Sequence, residues 1–377
     1  MKWKRVFSAG LVWIVCLAPA FPRNVKDEKQ ADDDQKSASA EKEKSPNPIS
    51  RWLELQSAIL ITRYRYIDTS TGVVASNQQQ HQENVRGRLK FDPKGKYSLV
   101  AGLGTGNAFT SGYNNTGWNA GAINVSGSAM LYLKQLYLSA VPVKGVELQF
   151  GGILPLRGEV TEITSYDNDA YITGERLSLK RPKDLFFDEV SVTYAYLGDL
   201  ASPGINKRFR WLDDSNYHQF LVAKKLGDRA SVSFDYTFQD GVETLRQGFR
   251  VATKELRFID SVRFENYQRV DYRPGYGYAL YAEKALTKSV VAGGGLADID
   301  QEFTPLNGDR YFRGQRLFGN VTWTLLPELN IVVFLDRAVG NDYYLVNRTR
   351  FDVVLTYNVF RALQRSASIK RALLPKW

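Results

Sequence analysis

The 377-residue sequence holds a single cysteine, Cys16. It lies inside an opening segment, MKWKRVFSAGLVWIVCLAPAFP, with Lys2, Lys4 and Arg5 first, a mostly apolar run from Val6 to Leu17, and Ala18-Pro-Ala20 at cleavage spacing. That order of basic, apolar and small residues reads as a secretory signal peptide over residues 1–20. A lipid-modified cysteine would want a small residue before it, and Val15 is not small. Cleavage would leave an exported chain without cysteine, so disulfides cannot hold it. Histidine is almost as scarce: His81 and His218 are far apart in sequence, and with no cysteine beside them no metal cluster or cofactor site is expected. Long apolar runs are missing too. No window after the signal reaches the 18 or so apolar residues that a membrane helix needs.

A nucleotide loop is also excluded. Gly102-Leu-Gly104-Thr-Gly106 looks like a phosphate turn, but the third glycine comes one position early and Asn107 stands in its place. The following AFTSGYNNTGWNAG has no helical period, so no helix N-terminus would face a phosphate. No nucleic-acid partner is expected.

Charge and aromatics are abundant. Lys and Arg number 50 against 40 Asp and Glu, a formal +10 that falls to about +7 without Lys2, Lys4 and Arg5. Residues 21–50 are dense in Lys, Asp, Glu, Ser and Pro, cannot bury a core, and read as a disordered charged periplasmic tail. Aromatic residues make up 13%, with 21 Tyr and 20 Phe. Mean hydropathy is negative, yet a transmembrane barrel hides its lipid-facing side chains in alternation, which averages away.

The alternation recurs along the chain. In VRGRLKF, Val85, Gly87, Leu89 and Phe91 oppose Arg86, Arg88 and Lys90, and Asp92-Pro-Lys-Gly95 supplies a turn. SAILITRYRYID sets Leu60, Thr62, Tyr64 and Tyr66 against Arg63 and Arg65. DEVSVTYAYLGD, RASVSFDYTFQD, RGQRLFGNVTWTLLP and RFDVVLTYNVF repeat the pattern. Each is close to the 9–11 residues of a tilted membrane strand. Short turns (Asp92–Gly95, Pro142–Gly145, Leu226–Asp228, Leu286–Lys288, Leu326–Glu328) alternate with longer polar loops (Gly106–Val125, Leu154–Ala170, Gly198–Asp214, Ile299–Tyr311, Val339–Val346). These features predict an all-β, antiparallel transmembrane barrel over residues 51–360, with short periplasmic turns and long external loops. Sixteen strands are expected, with two crossings in residues 241–278; fourteen, with none there, is the alternative. The last strand should end near Phe360, leaving residues 361–377 as a basic C-terminal extension.

The segment LKQLYLSAVPVKGVELQFGGILPLRGEVTEITSYDNDAYITGERLSL joins a strand, a tight turn and a G-x-x-P-L-x-G return strand to a long loop. With the signal segment and the alternation, it resembles the bacterial outer-membrane porins, general or substrate-selective. The resemblance implies an outer-membrane channel for small polar solutes with lipid around it, no cofactor, no catalysis, and a homotrimer among its assemblies. A trimer face should show apolar residues on several adjacent strands without girdle tyrosines.

Parity places Arg63, Arg65, Arg86, Arg88, Lys90, Arg176, Lys180 and Arg350 on the lumen side, where they would favour anionic solutes. Glu83, Glu175, Asp235, Glu265 and Asp352 are read as inward acids able to offset them. An inward-folded external loop would supply a constriction, with Gly106–Val125 and Leu154–Ala170 as the candidates, the second carrying Glu159, Glu162, Asp167 and Asp169. Two alternatives stay open: a barrel exporting an acidic polysaccharide, and a barrel hydrolase using Asp213, Asp214 and His218.

Overall fold

A strand whose side chains alternate has one apolar and one polar face, and a sheet of such strands can close with either face inward. The structure, a computed structural model, describes residues 51–69, 74–106, 114–119, 122–126, 131–159, 171–180, 186–198, 202, 204–205, 214–253, 256–271, 275–300, 314–339 and 348–373. The expected signal segment and the charged tail lie outside those residues.

The chain forms β1 (Leu53–Thr69), β2 (Val74–Lys90), β3 (Tyr97–Gly104), β4 (Asn114–Asn119), β5 (Ala122–Ser126), β6 (Tyr132–Ala140), β7 (Val146–Ile153), β8 (Ile172–Leu179) and β9 (Glu189–Tyr196). Then follow β10 (Tyr217–Leu226), β11 (Ala230–Gln239), β12 (Val242–Ala252), β13 (Ser261–Arg269), β14 (Gly275–Ala285), β15 (Val290–Ile299), β16 (Gly314–Leu326), β17 (Leu329–Ala338) and β18 (Arg348–Asn358). A helix, α1 (Val359–Leu373), comes last. β4 and β5 are a hairpin inside the β3–β6 connection, and β4 also pairs with the upper part of β2. The other sixteen strands form a closed antiparallel barrel, sealed where β1 pairs with both β2 and β18. Closure leaves no sheet edge, and in lipid every unpaired backbone group would cost several kcal/mol.

The apolar face is the outer one. Leu60 and Tyr64 on β1, Leu89 on β2, Phe150 on β7, Trp323 on β16 and Leu335 on β17 are exposed, while Ser98, Arg176, Asp235, Arg246, Arg316 and Asp336 are buried. The molecule is inverted relative to a water-soluble protein, as a lipid-facing barrel requires.

Residues 241–278 do hold two crossings, β12 and β13. Three expectations need correction. The long-loop end is not uniformly long: β11 and β12 are joined there by Asp240-Gly241 alone, with φ of 47° and 83°. That left-handed pair fits a tight hairpin turn, which Asp-Gly favours. The last strand ends at Asn358, and the extension begins as a helix at Val359. Glu83 and Glu175 face outward, not inward. Glu83 lies opposite the exposed Leu60, and Glu175 opposite the exposed Phe150 and Tyr194, so both share the apolar parity of their strands.

Candidate permeation pathway

The register brings all eight basic residues read from parity onto the inward faces of β1, β2, β8 and β18 or the turn beside them. Their environments differ. Arg65 donates two hydrogen bonds to Asp352, both 3.1 Å, and Arg350 pairs with the same carboxylate at 2.5 Å while its guanidinium lies 5.4 Å from the Phe334 ring centre. Arg63 donates to Gln80, its cross-strand partner. Lys90 pairs with Glu54 at 2.7 Å. Lys180 sits 3.6 Å from Glu147 and 3.8 Å from Glu189.

Arg86, Arg88 and Arg176 are held by neutral oxygens instead. Arg86 donates to the Tyr137 hydroxyl at 2.5 Å, and Arg88 to Ser98 Oγ at 2.9 Å and the Gly95 carbonyl at 2.5 Å. Arg176 donates to Thr193 Oγ1 (2.9 Å), Gln149 Oε1 (3.1 Å) and the Leu154 carbonyl (2.5 Å). None of these hydrogen bonds brings an opposite charge to the guanidinium that makes it.

After β7 the chain turns into the barrel. Residues 154–159 cross the inner faces of β10, β11 and β12. Gln219 receives a hydrogen bond from the Leu156 amide at 3.2 Å and donates to the Leu156 carbonyl at 2.9 Å. The Glu159 amide donates to Ser233 Oγ at 2.7 Å. The approach is so close that a Cβ on Gly158 would overlap the Ser233 side chain, and one on Gly248 would overlap the Glu159 carbonyl. Two glycines on opposite sides of the contact let backbone meet wall. Glu159 is thus placed inside the barrel at its backbone, whereas Glu162, Asp167 and Asp169 lie outside the described residues.

Sequence parity missed further charged groups along the inner wall. Asp235 accepts from Arg246 at 2.6 Å and from Gln219 at 2.5 Å. Arg316 and Asp336, both with fully buried side chains, pair at 2.7 Å. Arg263 on β13 lies directly opposite Arg250 on β12, and its Nε is buried without a hydrogen-bond partner. The alternation of their own strands was the available signal for these residues.

His218, the histidine of the hydrolase reading, belongs to β10. Its ring stacks between Tyr194 (4.7 Å) and Phe238 (5.3 Å) on the outward face, and Nε2 lies 2.9 Å from Ser215 Oγ, which donates to the Ala195 carbonyl. Among the described residues no carboxylate bonds to the ring, and Asp213 lies outside them. No group of three or more metal-ligating side chains occurs among the described residues either.

No family model and no curated protein matches the sequence. Solved structures do match in fold. A mutant of the Rhodopseudomonas blastica porin aligns with a TM-score of 0.52 at 12% identity, over 81% of this chain and 99% of that one. A second mutant of the same porin gives 0.53 at 12% identity, with the same coverage. Salmonella typhi OmpF, in a complex with daunomycin, gives 0.52 at 12% identity over 81% of this chain and 97% of its own. The chain has the fold of bacterial porins.

Proposed function

We propose that the protein is an outer-membrane channel for passive diffusion of small polar solutes, with a preference for anions. The observation that carries the proposal is the set of inward guanidiniums, Arg86, Arg88 and Arg176, bonded to neutral oxygens, together with a segment at 154–159 that runs from Arg176 across the inner faces of β10, β11 and β12. A barrel of sixteen strands is too wide for side chains to fill, so water enters. Fixed positive charge on a watery wall raises the local concentration of anions. In this reading residues 1–20 direct export, residues 21–50 extend into the periplasm and the short turns face it.

Planar-bilayer recording of the refolded protein under a salt gradient tests it. Stepwise conductance with a reversal potential of anion sign is expected. A cation sign would remove the selectivity claim, and silence from folded protein would favour an occluded barrel of the kind that an exporter of acidic polysaccharide would use.

The same reading includes a homotrimer. On β2, β3, β6, β7 and β8 the outward side chains include Val85, Leu99, Leu103, Leu136, Leu138, Leu148 and Leu177. No described outward position on these strands near the long-loop end holds a tyrosine, unlike Tyr64 and Tyr66 on β1 or Tyr276 and Tyr278 on β14. Glu83 and Glu175 lie on this face, and a carboxylate is better accommodated by a protein neighbour than by acyl chains. Leu136→Asn is expected to convert an oligomer on unheated gels to a folded monomer; an unchanged oligomer would place the interface elsewhere.

A further inference from the structure

Diffusion through the barrel gives α1 no task. The helix is nonetheless well fixed at its start. The Asn358 side-chain oxygen accepts the Arg361 amide at 3.0 Å, an N-cap that ends β18 and begins α1. Arg365 pairs with Glu328 in the β16–β17 turn at 2.9 Å, and Arg361 reaches the Pro327 carbonyl of that turn at 3.4 Å. Residues four apart lie on one side of a helix, so both tethers leave from the same side. The helix also lies against β1. It is therefore held along the short-turn rim beneath β17, β18 and β1.

Its remaining surface is not that of a helix facing water alone. Leu363 is 59% exposed. Residues 359–377 contain Val359, Phe360, Leu363, Ile369, Leu373 and Leu374, together with Arg361, Arg365, Lys370, Arg371 and Lys376, and no acidic residue. The adjoining rim exposes Trp52, Leu53, Leu325 and Leu326, which continue the apolar outer faces of β1 and β16. A basic amphipathic helix continuous with a lipid-facing band has the composition of an in-plane interfacial element. Anionic headgroups complement its charge.

We infer that α1 lies in the periplasmic-leaflet interface of the membrane, Leu363 toward the acyl chains on the side away from the Arg361 and Arg365 tethers, with the basic stretch after Arg365 complementary to anionic phospholipid phosphates. The inference rests on the transmembrane reading of the barrel. It makes α1 a collar that is sensitive to lipid charge rather than a plug in the channel mouth.

The test uses the full chain with Cys16→Ser, carrying one fluorophore either at Ile369→Cys or at the outward Leu335→Cys, in vesicles of phosphatidylcholine with or without phosphatidylglycerol. Brominated acyl chains should quench both labels. Quenching at position 369 should strengthen with phosphatidylglycerol and fall when Lys370→Gln and Arg371→Gln are combined, while position 335 stays unchanged. Quenching at 335 but not at 369 would overturn the inference alone. Loss at both positions would overturn the membrane reading itself. A label at 369 that lipid cannot reach, together with conductance that rises when residues 359–377 are removed, would place α1 in the channel mouth.

Discussion

Asp352 stands between two guanidiniums, those of Arg65 and Arg350, and one carboxylate cannot neutralise both. Asp352→Asn is expected to move the reversal potential further toward anions, read in the same salt-gradient recording. Arg263→Gln should move it the other way, since Arg263 faces Arg250 with its Nε unbonded. Asp336→Asn belongs to stability instead. It would strand the Arg316 charge at a site with both side chains 0% exposed, and breaking such a pair costs about 3–5 kcal/mol. A lower temperature for the gel shift from folded to unfolded migration would show it. Parity was enough to put basic residues on one face, but it said nothing of their partners. Arg65 and Asp352 are separated by 287 positions, and only the register of the closing strands joins them. Glu83 and Glu175 were misread because a charge on a lipid-facing parity breaks the very pattern used to assign faces.

Turns and segments were legible where a residue type has one conformational use. Asp92-Pro-Lys-Gly95 is a turn as expected, with Gly95 at φ 65°. The Asp92 carboxylate accepts the Tyr97 amide at 2.8 Å and the Lys94 amide at 2.9 Å. Those hydrogen bonds, Tyr97's foremost, hold its carboxyl below the ordinary 3.8. A depressed folded value means that the contribution is complete above the unfolded value and disappears as pH falls through the folded one. Amide exchange at Tyr97 and Lys94 should therefore accelerate as pH drops below about 3.8, and Asp92→Asn should abolish that pH step. The inward path of 154–159 was only half legible. The G-x-x-P-L-x-G stretch marked the loop, but the need for glycine at position 158 comes from Ser233 on a distant strand. Gly158→Val should lift the segment off the wall, and single-channel traces should change from one level to several. The helix announced itself weakly: Asn358 is a good cap, but it is also the last residue of a strand whose alternation reads on toward Phe360.

For the molecule as a whole, alternation identified the architecture because lipid outside and polar groups inside impose one period on every crossing. The strand count depended on residues 241–278, where Arg246, Arg250 and Arg263 interrupt the apolar rhythm while belonging to inward faces. Strand order followed from chain order, since each crossing lies beside the one before it. What alternation cannot supply is the seam. Because β1 bonds to β18 from Ile59 to Thr69 as well as to β2, the ring has no first strand in space, only in synthesis. A gene rearranged to begin at β12, cut within Asp240-Gly241 and with β18 linked to β1 beneath the rim, would encode the same ring of neighbours in another order. Connectivity in this protein is a convention of the message; adjacency is the property of the fold.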